Sequence, residues 1–459
     1  MSRPDCNCSV PFPKFGLLLT LVIGGLAMGY FLSHRSEDQS PPTAVKNLPE
    51  AQRFLLTSFD AKDQNEAPEL RSDVSGRVYL VFASQTGEAE RTLFLTQADG
   101  PGKSFSTPQI VTKSAIYKAV SQMKGKQMTH ETKMGSHLVC EVEKVHLAWT
   151  EALPDLSGVR TVLATSTDHG NTFSPPQAVH SEKGTRTTYT AMSIGTEGTL
   201  AVSWLDNREK SQLPFAAIRP PGQSAFLPEK AVHLGQNGKG ICPCCPTATL
   251  VGEDGTVYVA FRNIEDGHRD IFIGRAKPGQ NEFDQLFPVM PPTWKFDGCP
   301  HDGPSMVILG DQLHIVWMDA RSGTQKCYYG RASLSDLKFQ TSELSNSSGT
   351  QGNAKIFADT WGMLHLVWEE SIGKLPQTDG QHQHGPPQIG NGTGRAIFYC
   401  LSDGSGRFTP PKAILPRESA FQTRPTITGT SSGEVIVAWN ELDESSKSIM
   451  VTRVRSGEK

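Results

Sequence analysis

Apolar and polar positions along this 459-residue chain alternate in short runs, and seven of the runs share one form: a β-favouring stretch closed by an aromatic ring. They are Val78–Phe82, Val145–Trp149, Leu200–Trp204, Val257–Phe261, Leu313–Trp317, Leu364–Trp368 and Val435–Trp439. The runs return every 51 to 71 residues. Self-similarity at that period predicts a circular array of similar β-units. The repeat fills residues 52–459, so one large repeat domain is expected in place of several unrelated ones.

Each unit reads as four short strands. In the second, Val145–Trp149 is followed by Val159–Ser166, a turn, and a strand ending at Val179. The turn runs Ser166, Thr167, Asp168, His169, Gly170, Asn171, Thr172, Phe173. Asp168 and Gly170 supply turn geometry, the Ser166 and Thr172 hydroxyls can bond nearby backbone, and Phe173 is placed to tuck the hairpin onto its sheet. This segment matches the Asp-box pattern S-x-D-x-G-x-T-F, and eroded copies stand at Asp99…Phe105, Gly222…Phe226, Gly279…Phe283, Asp336…Phe339 and Asp403…Phe408. The chain thereby resembles the sialidase-like, or BNR-repeat, propellers. That resemblance implies an all-β propeller of four-stranded blades: seven by the count of aromatic-ended strands, six by the number usual in sialidases. The last unit stops at Val451–Arg455 without an outer strand. Closing the ring needs a strand borrowed from the other terminus, and Arg53–Phe59 is the expected lender.

The N-terminal segment follows a different pattern. Phe15–Leu32 carries no charge over 18 residues, enough for a bilayer-spanning helix. Residues 1–14 are then a short tail, 15–32 a transmembrane signal-anchor helix, and 33–51 a polar linker. A cleaved signal peptide, using Ala27-Met28-Gly29, is the alternative. Either way the repeat domain is expected outside the cytoplasm, periplasmic or extracellular. The net charge of −3, with both signs well mixed, gives no reason to expect a nucleic acid partner. No phosphate-binding loop or nucleotide fingerprint is present either.

Candidate chemistry gathers in the loops after the aromatic-ended strands. Asp206, Arg208, Arg262, Asp266, Arg269, Asp319, Arg321, Glu369 and Glu370 all stand there. Acids and arginines at a channel mouth suit a carbohydrate or other polar anionic ligand, since Arg grips a carboxylate with two parallel hydrogen bonds. The bland alternative is a set of solvated turn charges and salt bridges. The resemblance to sialidases implies an arginine clamp, for which Arg262, Arg269 and Arg321 are candidates. It also implies a Tyr nucleophile assisted by Glu, drawn from Tyr328 or Tyr329 and Glu369 or Glu370. The usual R-I-P sequence for the first clamp arginine is absent, and Pro68–Arg71 is its nearest substitute.

Two further segments have no counterpart in that scheme. Cys242, Cys244 and Cys245 open the fourth unit in a CxCC pattern, and Cys299 and His301 open the fifth in C-P-H-D-G-P. The pair is similar to one found in uncharacterised bacterial propellers of the same repeat type. Equivalent positions in successive units should lie close together. There these groups could hold copper or zinc, or form a disulfide between blades. His382 and His384, in a long loop of the sixth unit, are outer candidates. Cys140, Cys327 and Cys400 fall in strand runs and read as small core residues. His146, His314 and His365 recur at one strand position and are expected to hydrogen-bond between blades. Three functions therefore stay open: recognition of a glycan or small polar ligand, with sialidase-type hydrolysis as an extension; a copper- or zinc-binding or redox protein; and a protein-interaction scaffold.

Overall fold

The computed structural model describes residues 51–455, apart from 56–65, 87, 124–125, 142, 182–185, 209–210, 284, 374–392, 418 and 444–445. The expected anchor helix, most of the linker, and His382 and His384 lie outside the described residues. Among the described residues no helix is long and apolar enough to cross a membrane.

Alternation of buried and half-buried positions puts nearly all of the described secondary structure into strands. Five four-stranded antiparallel sheets and one eight-stranded sheet result. Strand order in the larger sheet resolves into two runs of four, joined only where Arg395 pairs in parallel with Phe421. One run is Gln351–Ala358, Leu364–Gly373, Thr393–Ser402 and Lys412–Ile414; the other is Phe421–Gly429, Glu434–Leu442, Lys447–Arg455 and Gln52–Leu55. A separate two-stranded ribbon pairs Lys118–Met123 with Lys126–Glu131.

The first strands of these runs are Glu69–Ser72, His137–Cys140, Thr188–Ile194, Ala248–Val251, Ser305–Leu309, Gln351–Ala358 and Phe421–Gly429. Each touches the next, and the last returns to touch the first. An all-β ring of four-stranded sheets is the construction of a β-propeller. Every aromatic-ended run of the sequence lies in the second strand of its sheet, where one face packs on the preceding sheet and the other on the following one.

These second strands share a polar device. Trp149, Trp204, Trp317, Trp368 and Trp439 are at most 1 % exposed. A buried indole N–H needs an acceptor. Four of them find it two residues along their own strand: Trp149 donates to Glu151, Trp204 to Asp206, Trp317 to Asp319 and Trp368 to Glu370, at 2.9–3.2 Å. In three of the four, an arginine then satisfies the carboxylate. Arg160 binds Glu151, Arg208 binds Asp206 and Arg321 binds Asp319.

The Asp-box turn forms as its residue types require. The Ser166 hydroxyl donates to Asp168 Oδ1 (2.7 Å) and accepts from the Gly170 N–H (2.7 Å), while Asp168 accepts from the Thr172 N–H and hydroxyl. Gly170 has φ of 82°, and Phe173 packs on the core between the first two sheets. Those hydroxyl and N–H donors of Thr172 hold the Asp168 carboxyl down to about 2. The turn lies on the hairpin between the third and fourth strands of its sheet, and its groups are spent on one another.

The expected histidine bonds are corrected. His146 bonds Thr165, His314 bonds Tyr329 and His365 bonds Tyr399, each on the neighbouring strand of the same sheet. A side chain two strands in from the edge reaches its cross-strand neighbour before it reaches the next sheet.

Gln52–Leu55 pairs antiparallel with Lys447–Arg455 and supplies the outer strand that the last sheet lacks. Phe54 stacks on Phe82 at 6.2 Å and meets Phe105 edge-on at 6.4 Å, fastening this strand to the first sheet as well. Phe54→Ala should therefore lower stability by about 3 kcal/mol, read as a fall in the urea midpoint of the whole domain.

Candidate functional site

The cysteine segment precedes the first strand of the fourth sheet and is held from both sides. Ile241 N–H bonds the Gln212 carbonyl and Cys242 N–H bonds the Arg262 carbonyl. Gly240 has φ of 86°, and a Cβ there would stand 2.8 Å from Gln212 O, so only glycine fits this approach. The C-P-H-D-G-P segment occupies the same place before the fifth sheet. A Cβ on Gly303 would collide with the Pro246 carbonyl. That glycine lets the two segments touch, and the touch brings Cys299 and His301 to Cys244.

Sγ of Cys242 lies 3.6 Å from that of Cys244 and 3.4 Å from that of Cys245. Ligand atoms of Cys244, Cys299 and His301 lie within 4.8 Å of one another, as do those of Cys242, Cys244 and Cys245. The first three cysteines are buried, Cys299 is half-buried and His301 is exposed. The seven described cysteines are free thiols. Cys327 and Cys400 are the small core residues the strand pattern suggests.

Electrostatics favour the thiolate at Cys242 and Cys299 and the thiol at Cys244 and Cys245. Thiol donors from Cys244 and Cys245, with Arg262 and Arg269 behind them, hold Cys242 far below the usual thiol range. Contact with Cys242 pushes Cys244 up, and burial pushes Cys245 up to about 12. The Cys244 contact also lowers Cys299. Arg269 is the direct partner: its Nη1 donates to Cys242 Sγ at 3.2 Å and its Nε to the Phe296 carbonyl. A guanidinium over a thiolate is the microenvironment of a reactive or metal-ligating cysteine.

Arg262, fully buried, ties the segments together. It donates to the carbonyls of Arg269 (2.8 Å), Met318 (2.7 Å) and Asp302 (3.3 Å) and lies 5.1 Å above the Trp294 ring. Asp302 follows His301. One of its oxygens accepts from the Asn353 N–H at 2.5 Å, and the other, buried, has no hydrogen-bond partner among the described residues. Burial pushes this carboxyl up to about 6.

The residues expected to form a sialidase-type centre are engaged with partners inside the protein. Arg321 is shared by Asp319 and Asp270, and Arg208 by Asp206 and Glu229. Asp266 is exposed and accepts from Gln236. Tyr329 is buried between His314 and the Gly404 carbonyl, while Tyr328 faces Ser322 and Glu343. Glu369 pairs with Arg395 and accepts from the Arg424 N–H. No hydrogen bond joins Tyr329 to Glu369 among the described residues.

A second polar cluster forms around Arg71, the nearest substitute for the first clamp arginine, and adds His137 and Lys355, which sequence reasoning missed. Arg71 pairs with Glu69 at 2.6 Å, His137 approaches the same carboxylate at 3.5 Å, and Lys355 adds its field. Burial raises the Glu69 carboxyl, but Arg71, a hydrogen bond from His137 and the field of Lys355 outweigh it and hold it down to about 2. The residues come from the first strands of three different sheets, so only closure of the ring reveals them.

No family model and no curated protein matches the chain. Several solved structures resemble it. A protein of unknown function from Dyadobacter fermentans is 9 % identical, with 89 % of this chain and 100 % of that one covered and a TM-score of 0.47. The propeller domain of the trilobed protease of Pyrococcus furiosus is 8 % identical over 86 % and 99 % of the two chains, TM-score 0.45. A sialidase of Streptococcus pneumoniae is 12 % identical over 91 % and 71 %, TM-score 0.42.

Burial, and then the Arg331 charge, push His314 down to about 4 from its ordinary 6.5. The native state therefore binds fewer protons than the unfolded state between these values, and stability rises with pH across that window. Urea midpoints should fall as pH drops from about 6.5 to about 4, and His314→Gln should flatten part of that slope.

Proposed function

We propose that this chain is a seven-bladed propeller that binds a soft metal ion, copper or zinc, through Cys242, Cys244, Cys245, Cys299 and His301. The observation that carries the reading is the convergence of four thiols and one imidazole from two successive sheets, with a guanidinium on one sulfur. Thiolates and imidazole together select copper(I) and zinc over hard cations. The closed ring of first strands and the terminal strand Gln52–Leu55 support the blade count. Residues 15–32 and the linker 33–51 would tether the propeller outside the cytoplasm, as the uncharged run suggests.

A second reading keeps recognition of a glycan or polar anion, and the gathering of Arg71, His137 and Lys355 around Glu69 favours it. Hydrolysis of the sialidase type would require Arg262, Arg269 and Arg321 to leave the partners described above, so a fluorogenic sialoside should remain intact.

The deciding sample is the full chain purified without chelator, on which bound metal and free thiols are both counted. We expect near-stoichiometric copper or zinc, reduced at least tenfold by the double change Cys242→Ser and Cys299→Ser. Absence of metal, with the loop thiols blocked until reduction, would make the cysteines a covalent staple and move attention to the Glu69 cluster.

A further inference from the structure

The five donor atoms do not gather into one set. Among the described residues they form two triads, Cys242/Cys244/Cys245 and Cys244/Cys299/His301, and Cys244 belongs to both. A single tetrahedral zinc needs four donors all within ~3.8 Å of one another, given Zn–S bonds of about 2.3 Å. Neither triad gains a fourth member here within the wider 4.8 Å limit. Three-donor sites, one of three sulfurs and one of two sulfurs and a nitrogen, suit copper(I), a soft ion content with trigonal coordination.

Resting on the soft-metal reading above, we infer that the site holds two copper(I) ions, with the Cys244 thiolate bridging them. Cys242 and Cys245 complete one ion, and Cys299 and His301 complete the other. Charge agrees with this count. Two monovalent ions and four thiolates leave two negative charges, opposite the two guanidinium groups of Arg262 and Arg269. Arg269 touches Cys242 directly, and Arg262 acts on Cys242 and Cys245 through its field. The two halves also differ in access. The three-sulfur half is buried, whereas the half containing His301 faces solvent, so copper would enter and leave through His301.

The test uses the full chain with Cys6→Ser and Cys8→Ser, so that the N-terminal thiols do not count. Copper(I) is added under anaerobic, reducing conditions against a chromogenic chelator, and copper per chain is measured after desalting. Two ions are expected, falling to one in His301→Asn, a residue type that tolerates the φ of 55° at this exposed position, with the urea midpoint read alongside. X-ray absorption should show a copper–copper path in the parent that Cys244→Ser abolishes. One ion per chain in the parent overturns the shared thiolate while the soft-metal reading stands. Two ions without a copper–copper path, unaffected by Cys244→Ser, overturn the bridge alone. No copper retained overturns the two-copper site, and absence of zinc as well overturns the soft-metal reading with it.

Discussion

A buried indole N–H calls for an acceptor, and in four of the five second-strand tryptophans the answer propagates, Trp439 having no partner among the described residues. Each of four tryptophans sits at the centre of a sheet pressed between two others, where water cannot reach its nitrogen. The acceptor is a carboxylate two residues on, brought to the same side by the alternation of the strand. Burying that carboxylate in turn calls for a cation, supplied at Glu151, Asp206 and Asp319 by arginines. The strongest charges on this rim are thus consequences of the hydrophobic core beneath them.

That chain of demands explains which parts of the sequence could be read and which could not. The seven aromatic-ended runs carry the period of the fold, and all seven are second strands. The lender strand was legible because a missing outer strand at Val451–Arg455 is a visible deficit. The meeting of Cys244 with Cys299 was legible because equivalent positions of successive repeats are neighbours in space. By contrast, Asp206, Arg208, Asp319 and Arg321 look like a ligand clamp when their partners are unknown. The Trp-x-acid spacing was the available sign that they belong to the core. Arg71 stood out only as a weak clamp candidate, and the joining of His137 and Lys355 to it had no such sign, since it brings together strands nearly 300 residues apart.

Around the cysteines the same scaffold is put to a different use. Two arginines are turned inward there, one spanning three carbonyls and one resting on sulfur. Gly303 and Gly240 remove the side-chain bulk that would hold the two loops apart. Rigid backbone approach, with the charge partner fixed beforehand, is what keeps a group of thiols close enough to share a ligand. Loops of ordinary flexibility would let the sulfurs separate.

The strand that completes the last sheet has a bearing on how the molecule is made. Arg53 and Ser448, bonded side by side, are 395 positions apart in the chain. During synthesis the early segment must wait, unpaired, until its distant partner strand has emerged. Earlier sheets can form from local hairpins, but the circle stays open, with an unpaired edge ready to join a neighbour's. The later strand decides whether the earlier one ever finds its place, and a nascent chain halted before Lys447–Arg455 would be an open arc prone to self-association.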